Sequence, residues 1–518
     1  MDDKNRVRTI LAAIFLLGLS LRAYLFFDWS HTFIEIDTIH YAMLGKNLLY
    51  FYSYSYGRDH NSGIIFPPGY PLAIGLTDLL LDDLMNSALA VSLISGLASI
   101  PLFYLIGKEL FGREAGLYSA FGMAVYPFIA RLSVRGLSES LFLFTFFLAV
   151  YAFIRSFKGS SRVYGGLFGL LAGYSYLVRT EGLFLLALPA FFGLARSLPV
   201  KTTTVMVAGF ILVSTPYIFF LWDSTGHFMI SGKGLINVMI ADSLVGGDSE
   251  RIWGQLNPDK TRLNIYDMNA KASLIEHILE DPGKFVRVYF LNLSTELVYL
   301  FLLSMPLLPG LYLAFLTPGG SRDTLAILLL APLMLTFTFP AFIIHIRYVS
   351  IMVLSLLILS SKGYQGSRDG AKKLFNISGN DPTVLLERYA KHFLVFLLLA
   401  SMASDLTGSD SYVPAEHVRA GLFMKGLSEG YGSLNIMSRK AYVNFYSGSE
   451  VTNLPYAEAQ DVLDYARRYG ADYMVVDERY MGSWTTYESL TRLHESSDQI
   501  EIVYREKTRP EILIYRLG

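Results

Sequence analysis

The feature that most constrains this chain is a succession of apolar runs, each near the length that crosses a lipid bilayer. A hydrocarbon core about 30 Å thick takes roughly 20 helical residues. Runs of this kind fall at 10–27, 86–107, 114–131, 138–157, 163–179, 182–197, 203–222, 286–316, 323–340, 341–361 and 391–405. Hydrocarbon offers no water to backbone N–H and C=O groups, so each run is predicted to be a helix. The count is about eleven by hydropathy. The long run at 286–316 is rich in proline and is expected to kink or divide. The 323–361 region can be cut at more than one place.

Composition fits a polytopic membrane protein. The chain is 53% hydrophobic and 17% charged, with a mean hydropathy of +0.40. A soluble domain carries about 25% charged residues. A net charge of −1 predicts no nucleic-acid partner. The absence of cysteine excludes disulfides, thiol nucleophiles and cysteine metal sites. No P-loop and no GxGxxG occur, so no nucleotide cofactor is expected. The first run, 10–27, is long enough to span and lacks a small-x-small cleavage site, so it reads as a span.

Basic residues orient the spans. With the N-terminus cytoplasmic, every inner segment is basic: Lys4, Arg6 and Arg8; Lys108 and Arg113; Arg155, Lys158 and Arg162; Arg196 and Lys201; Arg322; and Lys362 to Lys391. An odd span count places the C-terminal region outside. The expected organisation is a membrane domain over 1–405, with outer loops at 28–85 and 223–285, and a soluble extracytoplasmic α/β domain over 406–518. In that last region AYVNFYSG, ADYMVVDE, QIEIVYRE and EILIYRL read as strands, and AEAQDVLDYARRYG as an amphipathic helix.

The first outer loop is too structured for a linker. FIEIDTIHYAMLGKNLLYF, from Phe33 to Phe51, and the stretch after Pro67-Pro68 read as two amphipathic helices at the outer surface. Glu35 and Asp37 stand there among apolar residues, where a charged carboxylate is costly unless compensated. Helix N-capping is the plain reading of Asp37. Further ionisable residues fall at the same outer level. They are Arg58, Asp59 and His60 in the loop; Arg131, Arg135 and Glu139 in ARLSVRGLSESL; Arg179 and Glu181 in LVRTEGLFLL; and His345, Arg347 and Tyr348 in HIRYVSI. Each alone fits snorkelling or a local ion pair, as between Arg179 and Glu181. As a set at membrane depth they point to a site. Carboxylates supply a general base, and cations stabilise a departing phosphate. A substrate with its tail in lipid and its phosphate at the surface, such as a lipid-phosphate-linked sugar, suits that placement.

These elements resemble, in order, the GT-C superfamily of membrane glycosyltransferases. The similarity is to the protein O-mannosyltransferase-like branch, which includes the bacterial aminoarabinose transferase acting on lipid A. LGLSLRAYLFF resembles the family's first span, IDTIHYAMLGKNLL its acidic motif, FPPGYPL its Pro-Pro segment, RLSVRGLSESLF its Arg-then-Glu turn, LVRTEGLFLL its Arg-x-Glu-Gly turn, and HIRYVSIMV its entry to a late span. The resemblance covers about residues 10–361. It implies inverting transfer from a polyprenyl- or dolichyl-phosphate sugar, such as dolichyl phosphate mannose, to a hydroxyl of a protein, lipid or glycan outside the cytoplasm. It further implies Asp37 as base and Glu139 as an orienting acid. Arg58, Arg135, His345, Arg347 and Tyr348 are implied for the donor phosphate. Glu35, His60, Arg131, Arg179 and Glu181 are further candidates. Where many relatives have Asp-Glu, this chain has Asp37-Thr38, which leaves Asp37 as the better base. Family members differ in metal dependence, so no metal is assigned. A secondary transporter is the competing class, but no internal repeat or pair of broken helices supports it. A non-catalytic scaffold presenting the outer α/β domain is a third reading. In the C-terminal region, Asp477 and Glu478 read as a solvated strand end.

Overall fold

The structure is a computed structural model. It describes residues 3–29, 35–59, 62–195, 197–244, 254–263, 278–316, 321–342, 344–365, 414–431, 434–496, 500–506 and 509–518. The principal helices are α1 (Asp3–Trp29), α2 (Ile36–Tyr50), α3 (Gly69–Leu81), α4 (Leu84–Phe111), α5 (Arg113–Val125), α6 (Pro127–Leu132), α7 (Ser138–Gly159), α8 (Arg162–Val178), α9 (Ala187–Leu194), α10 (Val200–Thr225), α11 (Gly234–Leu244), α12 (Pro282–Ser304), α13 (Leu308–Leu316), α14 (Arg322–Thr338), α15 (Ser350–Gln365), α16 (Ala415–Tyr431), α17 (Tyr442–Ser447) and α18 (Ala459–Tyr469). Two compact units result. One comprises Met1–Phe33, Ala88–Tyr217 and Arg287–Ser411; the other comprises Ile34–Ser87, Ile218–Val286 and Tyr412–Gly518.

The first unit is the helical membrane part. Seven helices among the described residues are long and apolar enough to cross a bilayer. The sequence count of about eleven is therefore not matched by length and composition alone. The difference has local causes. Pro127 bars helical backbone at Tyr126, which is extended (φ −65°, ψ 113°), so the 114–131 run divides into α5 and α6. The 182–197 run becomes a 3₁₀ turn, Thr180–Leu186, followed by the short α9. The 163–179 run forms α8, which at 17 residues is short for a span. The 286–316 run still counts as one, although its prolines break it into α12 and α13 at Pro306. The 391–405 run lies outside the described residues. Leu16, Leu17, Phe27, Leu212 and Phe315 present exposed apolar side chains, as lipid-facing helices do.

The break between α5 and α6 is held from α1. Arg22 is fully buried. Its Nη1 donates to Ala124 O at 2.8 Å and to Gly18 O at 3.2 Å, its Nη2 to Met123 O at 3.0 Å, and its Nε to Ser133 Oγ at 3.3 Å. Carbonyls in the last turn of a helix have no intrahelical donor, and that end carries partial negative charge. The guanidinium answers both needs at α5.

In the second unit, a five-stranded sheet is built from β1 (Asn435–Ser438), β2 (Glu450–Asn453), β3 (Tyr473–Asp477), β4 (Glu501–Glu506) and β5 (Ile512–Arg516). The strand order is β2-β1-β3-β5-β4. β1 runs parallel to β2 and β3, and β5 antiparallel to β3 and β4. Both faces are covered. Met474 and Val476 of β3 pack with Val462 and Tyr465 of α18, and Tyr473 and Val475 with Ala420 and Met424 of α16. A strand buried on both faces reads as one apolar run, which is why YMVV was legible. AYVNFYSG, expected as a strand, is instead α17, closed by Gly448 at φ 72°. Its Asn444 donates to Ile436 O at 2.8 Å and Glu450 O at 2.7 Å, bridging strands that the sequence did not reveal.

Segments of the two long loops join this sheet. Arg58 N donates to Val451 O at 2.9 Å, extending the edge at β2. Asp59 accepts from Asn453 N at 3.2 Å and from Tyr465 Oη at 2.9 Å. Tyr469 Oη donates to Thr261 O at 2.7 Å, and Lys260 pairs with Asp461 at 2.7 Å. Within the unit α2 packs on α3, whose exposed residues Leu76, Leu79, Leu80 and Leu81 form an apolar face.

Arg22→Leu should strand the carbonyls of Met123 and Ala124 without a donor. The expected cost is roughly 3–5 kcal/mol, read as a lowered thermal unfolding midpoint of the detergent-solubilised protein. A midpoint within a degree of wild type would contradict this role.

Candidate functional site

In the membrane unit, three separate turns converge on one carboxylate. Glu139 stands in the first turn of α7, where the helix dipole favours an anion, and is 3% exposed. Arg179 ends α8 in extended backbone (φ −150°, ψ 134°). Arg347 lies in a 3₁₀ turn, Ile346–Val349, entering α15. Arg179 Nη1 lies 2.7 Å from Glu139 Oε1, and Arg347 Nε lies 3.2 Å from the same oxygen. Arg179 Nη2 reaches Glu181 Oε1 at 3.0 Å, and Nη1 donates to Ser138 Oγ at 3.3 Å. The guanidinium of Arg179 sits 5.8 Å from the Phe142 ring and 5.4 Å from the Tyr348 ring, with Arg347 5.8 Å from Tyr348. Tyr348 stacks on Phe339 at 5.2 Å, which fixes the ring that both arginines face. His345 Nδ1 accepts from Arg347 N at 3.3 Å and so caps the turn.

Glu139, Arg179, Glu181, Arg347, Tyr348 and His345 thus lie in one cluster. Arg131 and Arg135 stand half-buried where α6 gives way to α7. Two guanidiniums and two carboxylates balance within the cluster, so their charges are held in place without a large net cost. Such a fixed cation pair is suited to an oxyanion.

In the other unit, Asp37 is half-buried at the second position of α2. It is not the N-cap; Glu35 takes that position, with no side-chain capping bond. Asp37 and His40 share a helix face. The His40 ring stacks on Tyr56 at 5.2 Å and lies 5.5 Å from Phe66. Lys233 Nζ lies 4.4 Å from the same Phe66 ring, and Tyr41 packs against it at 5.2 Å. An imidazole and an ammonium therefore meet the Phe66 ring. Arg58 pairs with Glu450 at the sheet edge. His60 lies outside the described residues. Asp477 is buried rather than solvated: its Oδ1 accepts from Tyr480 N at 2.7 Å. Glu478 Oε2 accepts from Glu511 N at 2.9 Å.

Sequence reasoning missed His40, Lys233 and Glu296. His40 was inside a quoted motif but was read only as helix. Lys233 was one cation in a polar loop. Glu296 was absorbed into an apolar run, although an acid inside a span is itself a signal. Glu296 is 1% exposed, and neither carboxyl oxygen has a hydrogen-bond partner among the described residues. Polar neighbours along the same helix are satisfied: Tyr289 Oη donates to Phe337 O at 2.9 Å, and Asn292 Nδ2 to Phe342 O at 2.8 Å. No group of three His, Cys, Asp or Glu among the described residues could hold a metal ion.

Residues 66–243 match the family model described as dolichyl-phosphate-mannose-protein mannosyltransferase. The matched segment contains Arg131, Arg135, Glu139, Arg179 and Glu181. No curated protein matches the sequence. Among solved structures, the chain is similar to the archaeal oligosaccharyltransferase AglB from Archaeoglobus fulgidus, with 13% identity, a TM-score of 0.60, and coverage of 93% of this chain and 71% of AglB. It is similar to ArnT from Cupriavidus metallidurans, with 12% identity, a TM-score of 0.55, and coverage of 99% and 98%. It is also similar to the arabinofuranosyltransferase AftD from Mycobacteria, with 13% identity, a TM-score of 0.56, and coverage of 99% and 42%. The fold is similar to that of these three membrane glycosyltransferases, and the family-model match covers residues 66–243.

A buried carboxyl without a hydrogen bond carries a desolvation cost of about 1–3 kcal/mol. Glu296→Met is therefore expected to raise the unfolding midpoint of the purified protein. A midpoint at or below wild type would show that the carboxyl is engaged.

Proposed function

We propose that this protein transfers a sugar from a polyprenyl- or dolichyl-phosphate donor to an acceptor hydroxyl on the extracytoplasmic side of the membrane, with inversion at the anomeric carbon. The observation that carries this reading is the convergence of Arg179 and Arg347 on Glu139 beside Tyr348. It is a fixed pair of guanidiniums, held by Glu139 and Glu181, in a GT-C-like fold. The fold relatives support the donor class: the AglB structure holds a dolichol-phosphate, and the ArnT structure holds undecaprenyl phosphate. Another structure of the Archaeoglobus enzyme is tethered with an acceptor peptide, which supports a protein as one acceptor class.

The residues divide the work by charge. Asp37 takes the proton of the acceptor hydroxyl as the bond from that oxygen to the anomeric carbon forms. The bond from the anomeric carbon to the phosphate oxygen breaks, and the lipid phosphate leaves with the electron pair. Arg347 and Arg135, with His345 and Tyr348, receive that anion. Glu139 and Glu181 hold the arginines rather than reacting, since an acid clamped by a guanidinium orients its partner. Arg58, paired with Glu450, serves the sheet edge more directly than the donor.

The test uses purified protein with a panel of polyprenyl-phosphate sugars, reading free lipid phosphate. Asp37→Asn should bind donor and fold as wild type, yet lose transfer by about 10²–10⁴-fold. Wild-type turnover in that variant would remove Asp37 from the mechanism. Arg347→Gln should weaken donor binding by about tenfold or more, in keeping with a lost charged hydrogen bond. Unchanged affinity for undecaprenyl phosphate would exclude Arg347 from the phosphate site.

A further inference from the structure

The unit that carries Asp37 also buries Glu416, His417 and Asp477, with Arg479 half-buried beside them, and none of the four takes a direct part in transfer. Glu416 and His417 open α16, with His417 1% exposed. His417 Nδ1 lies 3.2 Å from Glu416 Oε1, and its Nε2 lies 3.7 Å from Asp477 Oδ2 at the end of β3. Arg479 Nε donates to Glu416 Oε1. Two carboxylates and one guanidinium sum to neutrality only when the imidazole is protonated, and a net buried charge is expensive. Burial pushes the His417 pKa down, but the Asp477 and Glu416 carboxylates outweigh it, and the value is raised. Burial likewise pushes Glu416 up, yet His417 and Arg479 bring it to about 2.

The His417 ring meets two tyrosines. Its centroid lies 5.7 Å from Tyr442 and 5.4 Å from Tyr480, and those rings stack on each other at 6.1 Å. Lys440 Nζ is 5.7 Å from the Tyr480 ring. Glu416, Asp477 and Arg479, with Lys440 beyond Tyr480, are thus the charged groups around the imidazole. Tyr442 and Tyr480 belong to one apolar cluster with Ile36 and Ile39 of α2. Those two isoleucines bracket Asp37.

We propose that His417, held between Glu416 and Asp477, is a positioning residue for Asp37: it keeps Tyr442 and Tyr480 against Ile36 and Ile39 and so fixes the first turn of α2. The functional half of this proposal rests on the role given to Asp37 above. Because the folded protein favours charged His417, the stabilisation is full below the ordinary imidazole value of about 6.5 and is lost as pH rises through the raised one. Glu416 works in the opposite sense and at far lower pH. Its contribution is present above the ordinary carboxyl value and is lost only as pH falls toward about 2.

The chain has no cysteine, so Ile36→Cys supplies a sole thiol. Full-length Ile36→Cys in lipid nanodiscs is labelled with a neutral maleimide from about pH 6 to about pH 9.5, normalised to Tyr52→Cys, an exposed site, to remove the thiol's own titration. Normalised labelling should rise about tenfold as His417 loses its proton. The step should vanish in His417→Gln and move to lower pH in Asp477→Asn, which keeps the helix cap. In the cysteine-free protein, kcat should fall over the same interval with KM for the donor unchanged. Labelling without a step, an unaltered step in both variants, or a step with flat kcat overturns the proposal. Labelling is read without a sugar donor, so it judges the contact even if no donor in the panel is turned over.

Discussion

The membrane unit depends on one guanidinium. Proline at 127 makes the chain leave helix geometry at Tyr126, and doing so within a membrane exposes carbonyls that nothing local can satisfy. Arg22, from the first span, fills that need with donors to Met123, Ala124 and Ser133. The segment it stabilises leads directly into the turn bearing Arg131 and Arg135, and then into the helix that presents Glu139. A structural cation thus secures the register of the residues that form the charged cluster. An ammonium could not do this equally well, because the acceptors are spread over a fork that the planar guanidinium matches.

The charged cluster illustrates how a membrane protein can keep several ionised groups at depth. Arg179 is shared between Glu139 and Glu181, and Glu139 between Arg179 and Arg347. Each charge is answered by a neighbour from a different turn, so the arrangement is fixed before any ligand arrives. Preorganised cations of this kind stabilise an anion without reorganising when it forms. Tyr348 adds a face on which both arginines rest.

Much of this was legible in the sequence, for identifiable reasons. Glu139, Arg179, Glu181 and Arg347 stood out because acids and arginines are rare beside apolar runs, and short turns leave them few places to go. The α18 helix and strands β3, β4 and β5 were legible because their apolar periodicity is intact. The strand β1, Asn435–Ser438, was not, because NIMS is short and carries polar residues that bond inward, as Asn435 does to Tyr469 O at 3.0 Å. AYVNFYSG misled because Asn444 makes tertiary bonds that override its alternation. The division of 114–131 needed the partner of Pro127, and that partner, Arg22, lies a hundred residues earlier. Glu296 and Lys233 escaped because their surroundings are set by packing and not by neighbours in sequence.

The second unit is assembled from segments far apart in the chain. Asp59 holds Asn453 across a separation of 394 residues, and Tyr465 across 406. During synthesis the loop carrying Asp37 emerges early, but its partner at the sheet edge, Asn453, follows Asp59 by 394 residues. Closing so long a loop carries an entropic cost that grows only slowly with length, so the delay is one of time more than of stability. The surroundings of Asp37 are therefore complete only once strands near the far end of the chain have formed, so this unit closes late in synthesis.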